Sequence, residues 1–227
     1  MSISAVIPAH NEESTVGKVV EQCVSYCDEV IVVDDGSSDR TGEVAVAAGA
    51  TVIRNPINLG TVKSVEIGLR TASKEMIVTL DADGQHDPSQ IPLLIAPISQ
   101  GVADLVLGKR LCELPFSEHV ISTLTRRRVN CEDVGSSFRA IRRDLALRMH
   151  LWGFCLCGSL ILEAQEHGAR IVEVPITLKR RAGGKSHWPS PFARGTMHSK
   201  QAVLLAWHLA YSSIPKFSAT RHRPVNA

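Results

Sequence analysis

Glu75-Met76-Ile77-Val78-Thr79-Leu80-Asp81-Ala82-Asp83-Gly84-Gln85-His86-Asp87-Pro88 is the stretch whose reading decides the fold. The part through Leu80 is apolar and partly β-branched, which suits a buried parallel strand, and Gly84 and Pro88 break it. Two carboxylates, Asp81 and Asp83, therefore stand at the carboxyl end of a strand, where the crevices of open α/β sheets bind ligands. Oxygen-rich clusters there suit Mg2+ or Mn2+ carrying a substrate's phosphates. A polar turn with an Asx cap accounts for the same residues, so the neighbouring segments must decide.

Working outward, the pattern repeats. Ile3 to Pro8 reads as a strand, Ala9 to Glu13 as a polar turn, and Val16, Val19, Val20, Cys23 and Val24 recur at helical spacing. Glu29 to Val33 is a second buried strand that runs into Asp34-Asp35-Gly36-Ser37-Ser38-Asp39-Arg40-Thr41, where Ser38 or Asp39 suits a helix cap. Thr51 to Arg54 makes a short strand, Asn55 to Gly60 a loop and Val62 to Ala72 a helix. Downstream, Ala103 to Leu107 forms another strand and ends in Gly108-Lys109-Arg110, which puts two cations beside the carboxylate edge. This alternation predicts an α/β fold: a single doubly wound, mainly parallel sheet flanked by helices.

The second half is less regular. Leu111 to Asn130 shows little beyond Arg126-Arg127-Arg128, whereas Cys131 to Arg139 mixes acids, small residues and an arginine in the manner of a site loop before a helix from Arg142 to His150. Leu160 to His167 reads as a helix capped by Gly168, and Arg170 to Ile176 as a strand at the sheet's edge because it contains Pro175. Arg180 to His187 is a basic loop. Phe192 to Tyr211 reads as an amphipathic helix with Leu204, Leu205 and Trp207 opposite Arg194, Lys200 and His208, made either to pack on the core or to lie on a membrane. Residues 213–227 read as a basic, disordered tail.

Composition narrows the function. A net charge of +2 over 227 residues provides no global field for nucleic acid. Six cysteines without a Cys-x-x-Cys, and no signal peptide ahead of Ile3, point to reduced thiols in a cytoplasmic protein. No apolar run reaches the roughly 18 residues a membrane span needs. Neither Gly-x-Gly-x-x-Gly nor the P-loop pattern occurs, so carboxylates with a metal must hold any phosphate. Pro8 to Glu13 also lacks the glycines and lysines of a nucleotidyltransferase loop.

Val6 to Glu13, Val33 to Asp39, Asp81 to Pro88, Gly108 to Arg110, Asp133 to Arg139 and Glu173 to Ile176 resemble, in order, the motifs of family 2 glycosyltransferases. The likeness is greatest to the dolichol-phosphate mannose synthases and related polyprenyl-phosphate transferases. It implies a GT-A domain over residues 1–212, with a donor half to about residue 110, an acceptor half from about 111 to 190, and the 192–211 helix. It also implies a GDP- or UDP-sugar donor, Mg2+ or Mn2+, and inverting transfer to a polyprenyl (dolichyl) phosphate. Alternatives are a soluble or glycan hydroxyl acceptor and a non-catalytic nucleotide-sugar-binding partner. By the same resemblance Pro8, His10, Glu12, Val33 and Asp35 line the nucleoside pocket, and Asp81, Ala82 and Asp83 reach the ribose and diphosphate. Asp81, Asp83 and Gln85 correspond to metal ligands, Arg110 to an arginine near the phosphates, and Arg139, Arg181, Lys185 and His187 to acceptor-phosphate positions. His10 stands where the family often has tyrosine, His187 where it has lysine, Ser136 where glycine is usual, and Ser159 where relatives often carry glutamate. Asp133 is the candidate base for a hydroxyl acceptor; a loop carboxylate paired to Arg139 or Arg142 is the other reading. A lipid acceptor would require peripheral contact with the cytoplasmic membrane face or a membrane partner protein.

Overall fold

A computed structural model describes residues 1–181 and 191–212. Lys185, His187 and the tail beyond Ser212 lie outside the described residues. Among the described residues seven strands are interspersed with helices, beginning β1 (Ile3–Ala9), α1 (Val16–Val24), β2 (Glu29–Asp34), α2 (Thr41–Ala47), β3 (Thr51–Arg54), α3 (Thr61–Thr71) and β4 (Met76–Thr79). A 3-10 turn (Pro88–Gln90), α4 (Ile91–Ser99), β5 (Leu105–Arg110), α5 (Phe116–Thr125), β6 (Arg139–Arg142) and α6 (Arg143–Ala146) follow. The described chain continues with α7 (Ser159–Glu166), β7 (Ile171–Ile176) and α8 (Pro191–Ser212). The sheet order is β3-β2-β1-β4-β6-β5-β7.

The central strands β1, β2 and β4 are buried nearly throughout because helices cover both faces. On β1 and β2 alternate residues face opposite cores: Ile7 and Val32 lie with α1 and α4, whereas Val6 and Val33 lie beneath α3 with Val65 and Leu69. All strand pairs are parallel except those of β6, which runs antiparallel between β4 and β5. Reversal puts the start of β6 at the carboxyl ends of its neighbours. Thr79 thus stands opposite Arg139, and its hydroxyl donates to the Ser137 carbonyl at 2.7 Å. The loop before β6 is thereby delivered to the edge that carries Asp81.

Three expectations change. The helix expected from Arg142 to His150 shrinks to α6, because the residues just before it pair on both sides as β6. A helix, α5, occupies part of the segment that has little pattern, and α8 packs on it. Finally, α8 buries His198, Gln201, Leu205 and Leu209, spaced to fall on one side, while Trp207 is 66% exposed. His208, expected on a polar face, packs against Trp152 with ring centroids 4.7 Å apart and reaches Glu166 at 2.8 Å. Pro175 does lie on an edge strand, and no described helix is long and apolar enough to cross a membrane.

Candidate active site

The carboxyl edge of the sheet opens into a cavity of about 400 Å3. On its β1 side, Pro8, His10, Glu12 and Asp35 line the wall. Asn11 sits at φ 55°, a left-handed conformation that asparagine tolerates, and its side-chain oxygen accepts the Ser38 amide at 2.9 Å. That turn leaves His10 Nδ1 2.8 Å from the Asp35 carbonyl oxygen. Asp35 accepts the amides of Leu59 and Gly60 and the Asn55 side chain, each at 2.8 Å. Burial pushes its carboxyl up, but these hydrogen bonds outweigh burial and keep it below the ordinary range. Gly36 permits the approach: at φ 68°, a Cβ there would stand 2.5 Å from the Ile57 carbonyl carbon. Val33 does not reach the cavity; its side chain points into the core under α3.

Asp81, Ala82, Asp83 and Gln85 line the cavity beyond β4. Ser137 donates to Asp81 at 2.5 Å, and Gln85 donates its amide to Asp83 at 3.0 Å. Asp83 is pushed above the ordinary carboxylate range by burial and then by the charge of Asp81. Two mutually repelling carboxylates beside an amide oxygen are a donor set that fits a hard divalent cation. His86, nine-tenths buried, packs against Phe138 and stands 3.9 Å from Asp81; burial pulls its imidazole below the ordinary range despite the two carboxylates.

The Gln85–His86 backbone pairs with Leu178 and Lys179, Lys179 donating to the Gln85 carbonyl at 2.8 Å. This short ladder carries the chain leaving β7 across the cavity mouth. Arg181 consequently bonds Asp83 at 3.0 Å and also pairs with Glu12. Arg139 lies at the floor with 1% exposure. One Nη donates weakly to the Val134 carbonyl at 3.3 Å; its Nε and other Nη have no hydrogen-bond partner among the described residues. Burial lowers its affinity for the proton, yet a guanidinium keeps its charge in proteins.

Arg110 also lines the cavity, but Asp133 grips it through both oxygens at 2.7 Å and Glu118 at 2.5 Å. Burial pushes Asp133 up, but the Arg110 bonds and charge more than offset this and hold its carboxyl below the ordinary range. Asp133 is 1% exposed and absent from the cavity lining. It is therefore a paired loop carboxylate rather than a free base, and its partner is Arg110 rather than Arg139 or Arg142. Glu173 on β7 fixes this loop by accepting the amides of Glu132 and Asp133. Gly135 is needed for the fit, since a Cβ there would meet Glu118 at 2.8 Å and Arg110 at 3.0 Å.

The family model described as Glycosyl transferase family 2 matches residues 4–148. The chain belongs to family 2 of the glycosyltransferases. It is 30% identical over 213 residues to a dolichol-phosphate mannosyltransferase of Pyrococcus furiosus, covering 82% of this chain and 59% of that one. It is 31% identical over 166 residues to an undecaprenyl-phosphate 4-deoxy-4-formamido-L-arabinose transferase of Pectobacterium carotovorum, covering 65% of this chain and 51% of that one. The chain thus spans just over half of these two relatives, but 80% of a Methanocaldococcus jannaschii protein to which it is 27% identical over 194 residues. Among solved structures, glucosyl-3-phosphoglycerate synthase of Mycobacterium tuberculosis superposes with a TM-score of 0.78 at 23% identity, over 95% of this chain and 81% of that one. The sheet of this glycosyltransferase, mainly parallel and covered on both faces, is the GT-A fold.

Some cavity residues have no role in the sequence reading. His86 and Ser137 lie inside the motifs that carry the family likeness, at positions to which the likeness assigns no role. Glu118 falls in the segment without pattern, and Cys155, Cys157 and His198 meet only in three dimensions. Lone glutamates and unpaired cysteines provide no local signal.

Proposed function

We propose that this glycosyltransferase moves a sugar from a nucleotide-sugar donor, GDP- or UDP-linked, onto the phosphate of a polyprenyl (dolichyl) phosphate, with inversion at the anomeric carbon. The observation that carries the reading is Arg139: a buried cation lining a cavity shared with a carboxylate pair, with its Nε and one Nη lacking hydrogen-bond partners among the described residues. An anionic acceptor satisfies those donors. It is already ionised and needs no strong base, which agrees with Asp133 being occupied by Arg110. The names of the Pyrococcus and Pectobacterium relatives support a lipid phosphate. So does α8, whose exposed Val203, Trp207 and Tyr211 recur every four residues along one side, a stripe suited to an interfacial membrane contact.

In this reading His10 and Asp35 shape the nucleoside pocket with the loop before α3, and Glu12 orients Arg181. Mn2+ or Mg2+ held by Asp81, Asp83 and Gln85 would neutralise charge on the departing diphosphate; crystals of the mycobacterial synthase that contain Mn2+ and UDP support this choice. Arg181 exchanges its carboxylate partners for diphosphate oxygens. Arg139 holds the acceptor phosphate, and Arg110, fixed by Asp133 and Glu118, lends charge without moving.

A second reading, transfer to a soluble phosphorylated acceptor, is supported by the phosphoglyceric acid in crystals of the same synthase. The test is a transfer assay with labelled GDP- and UDP-sugars, with and without Mn2+, in which polyprenyl phosphate and soluble phosphorylated acceptors compete. Label partitioning into organic solvent supports the first reading. Label confined to water-soluble phosphates supports the second. No transfer or nucleotide release from any donor, by folded protein, overturns both and leaves a non-catalytic binder.

A further inference from the structure

Cys155, Cys157 and His198 bring two sulfurs and an imidazole nitrogen within 4.8 Å of one another, the single such group of potential ligands among the described residues. All three line the cavity. Cys157 Sγ and His198 Nε2 are 4.0 Å apart. Zn–S bonds of about 2.3 Å and Zn–N bonds of about 2.0–2.1 Å at tetrahedral angles put such ligands roughly 3.5–3.8 Å apart, so small side-chain rotations suffice. The outer contacts also match. Ser117 Oγ lies 2.8 Å from His198 Nδ1, the nitrogen that a metal-bound histidine uses for its orienting hydrogen bond, so Nε2 faces the sulfurs. Gln201 accepts the Phe154 amide at 2.8 Å and thereby ties the cysteine-bearing loop to α8.

We infer that Cys155, Cys157 and His198 form a three-ligand site for a soft divalent metal, zinc by its chemistry, whose fourth position faces the acceptor side of the cavity. Three protein ligands with an open position suit water or an oxyanion as the fourth. Each thiol gives up its proton when its sulfur binds, so two protons are released per metal ion. The two thiolates supply negative charge beside Arg139, a buried cation with no carboxylate within hydrogen-bond reach. The site is chemically separate from the oxygen ligands Asp81, Asp83 and Gln85, which favour hard cations. It also clamps α8 onto the loop before α7, and so fixes the wall against which an acceptor would lie.

The test uses the full chain, reduced and stripped of metal, titrated with Co2+. The expected result is a near-ultraviolet thiolate-to-cobalt charge-transfer band, with visible bands of a tetrahedral ion, saturating at one equivalent. Zn2+ must bleach the band and Mn2+ must leave it. Asp83→Asn must retain it, and the double variant Cys155→Ser/Cys157→Ser must lose it. Absence of the band at one equivalent in folded wild-type protein overturns the site, as does bleaching by Mn2+ or persistence in the double variant. The wild-type competition between Zn2+ and Mn2+ decides the matter even where the double variant fails to fold. Loss of sugar transfer is not part of the readout, so the site stands or falls apart from the proposed reaction.

Discussion

Arg181 Nη1 lies 3.0 Å from Asp83 Oδ2, so a residue beyond the last strand holds the carboxylate that the proposed metal site would use. Arg181 also bonds Glu12 and is about one-quarter exposed. A metal bound as proposed would compete with this cation for one oxygen.

Replacing Arg181 by glutamine therefore separates binding from turnover. Without the competing guanidinium, Mn2+ binds the nucleotide-free protein more tightly, by about fivefold if the part-exposed pair is worth about 1 kcal/mol. Sugar transfer falls about 100-fold, because a cation facing the departing diphosphate is lost. Mn2+ titration followed by electron paramagnetic resonance, alongside initial rates, checks both; unchanged metal affinity contradicts the competition.

Asp83 is costly to the fold. Its carboxyl is raised by burial and by Asp81, so the folded chain holds this proton more tightly than the unfolded chain does. Stability from this group is present at low pH and lost as pH rises from the unfolded value through the raised folded one. Asp83→Asn should melt higher at neutral pH, by about 2–4 °C for each 1 kcal/mol relieved, while abolishing metal-stimulated transfer. The gain should shrink as pH falls into the carboxylate range. Melting curves from pH 3 to 8 read it directly.

Arg139 gives a similar contrast between stability and function. It is buried, its Nε and one Nη lack partners, and burial opposes its charge. Arg139→Met removes a desolvated cation and should raise the melting temperature, since replacing buried charge by apolar volume is often neutral or stabilising by about 1–4 kcal/mol. Transfer should drop about 100-fold or more, with the acceptor KM rising. A variant that is both less stable and fully active would contradict an acceptor-phosphate role.

Removing Asp133 should act chiefly on folding. Asp133→Ala leaves Arg110 with Glu118 alone in a largely buried place, a loss of about 3–5 kcal/mol. Because the Asp133 carboxyl is held below its ordinary range, its contribution is complete above the unfolded pKa and disappears as pH falls through the folded one. Wild type and Asp133→Asn should therefore converge at acid pH. Urea unfolding at several pH values measures the convergence, and a constant difference down to pH 2 would show that the pair is not its source.

The sequence by itself determined the strand-turn-helix repeat, the edge position of the Pro175 strand and the turns bearing Asp35, Asp81 and Asp83. Each depends on residues close together in the chain: apolar runs for strands, glycine and proline for breaks, carboxylates at strand ends. Pro8, His10, Glu12 and Ala82 reach the cavity for the same reason. Val33 does not, because strand side chains alternate and its parity sends it to the core. Tertiary structure alone decided the rest. Four residues, Arg139–Arg142, become a strand because β4 and β5 offer edges on both sides, a fact invisible in their own composition. Asp133 pairs with Arg110 across 23 residues, and His198 meets two cysteines 41 or more residues away, since the strand order and the docking of α8 choose the partners. The face that α8 buries keeps Leu205 but not Trp207 of the apolar side read from its sequence. A helix with polar and apolar residues on several sides takes its orientation from the surface it meets, and here α5 and the loop before α7 selected His198, Gln201 and Leu205 over Trp207.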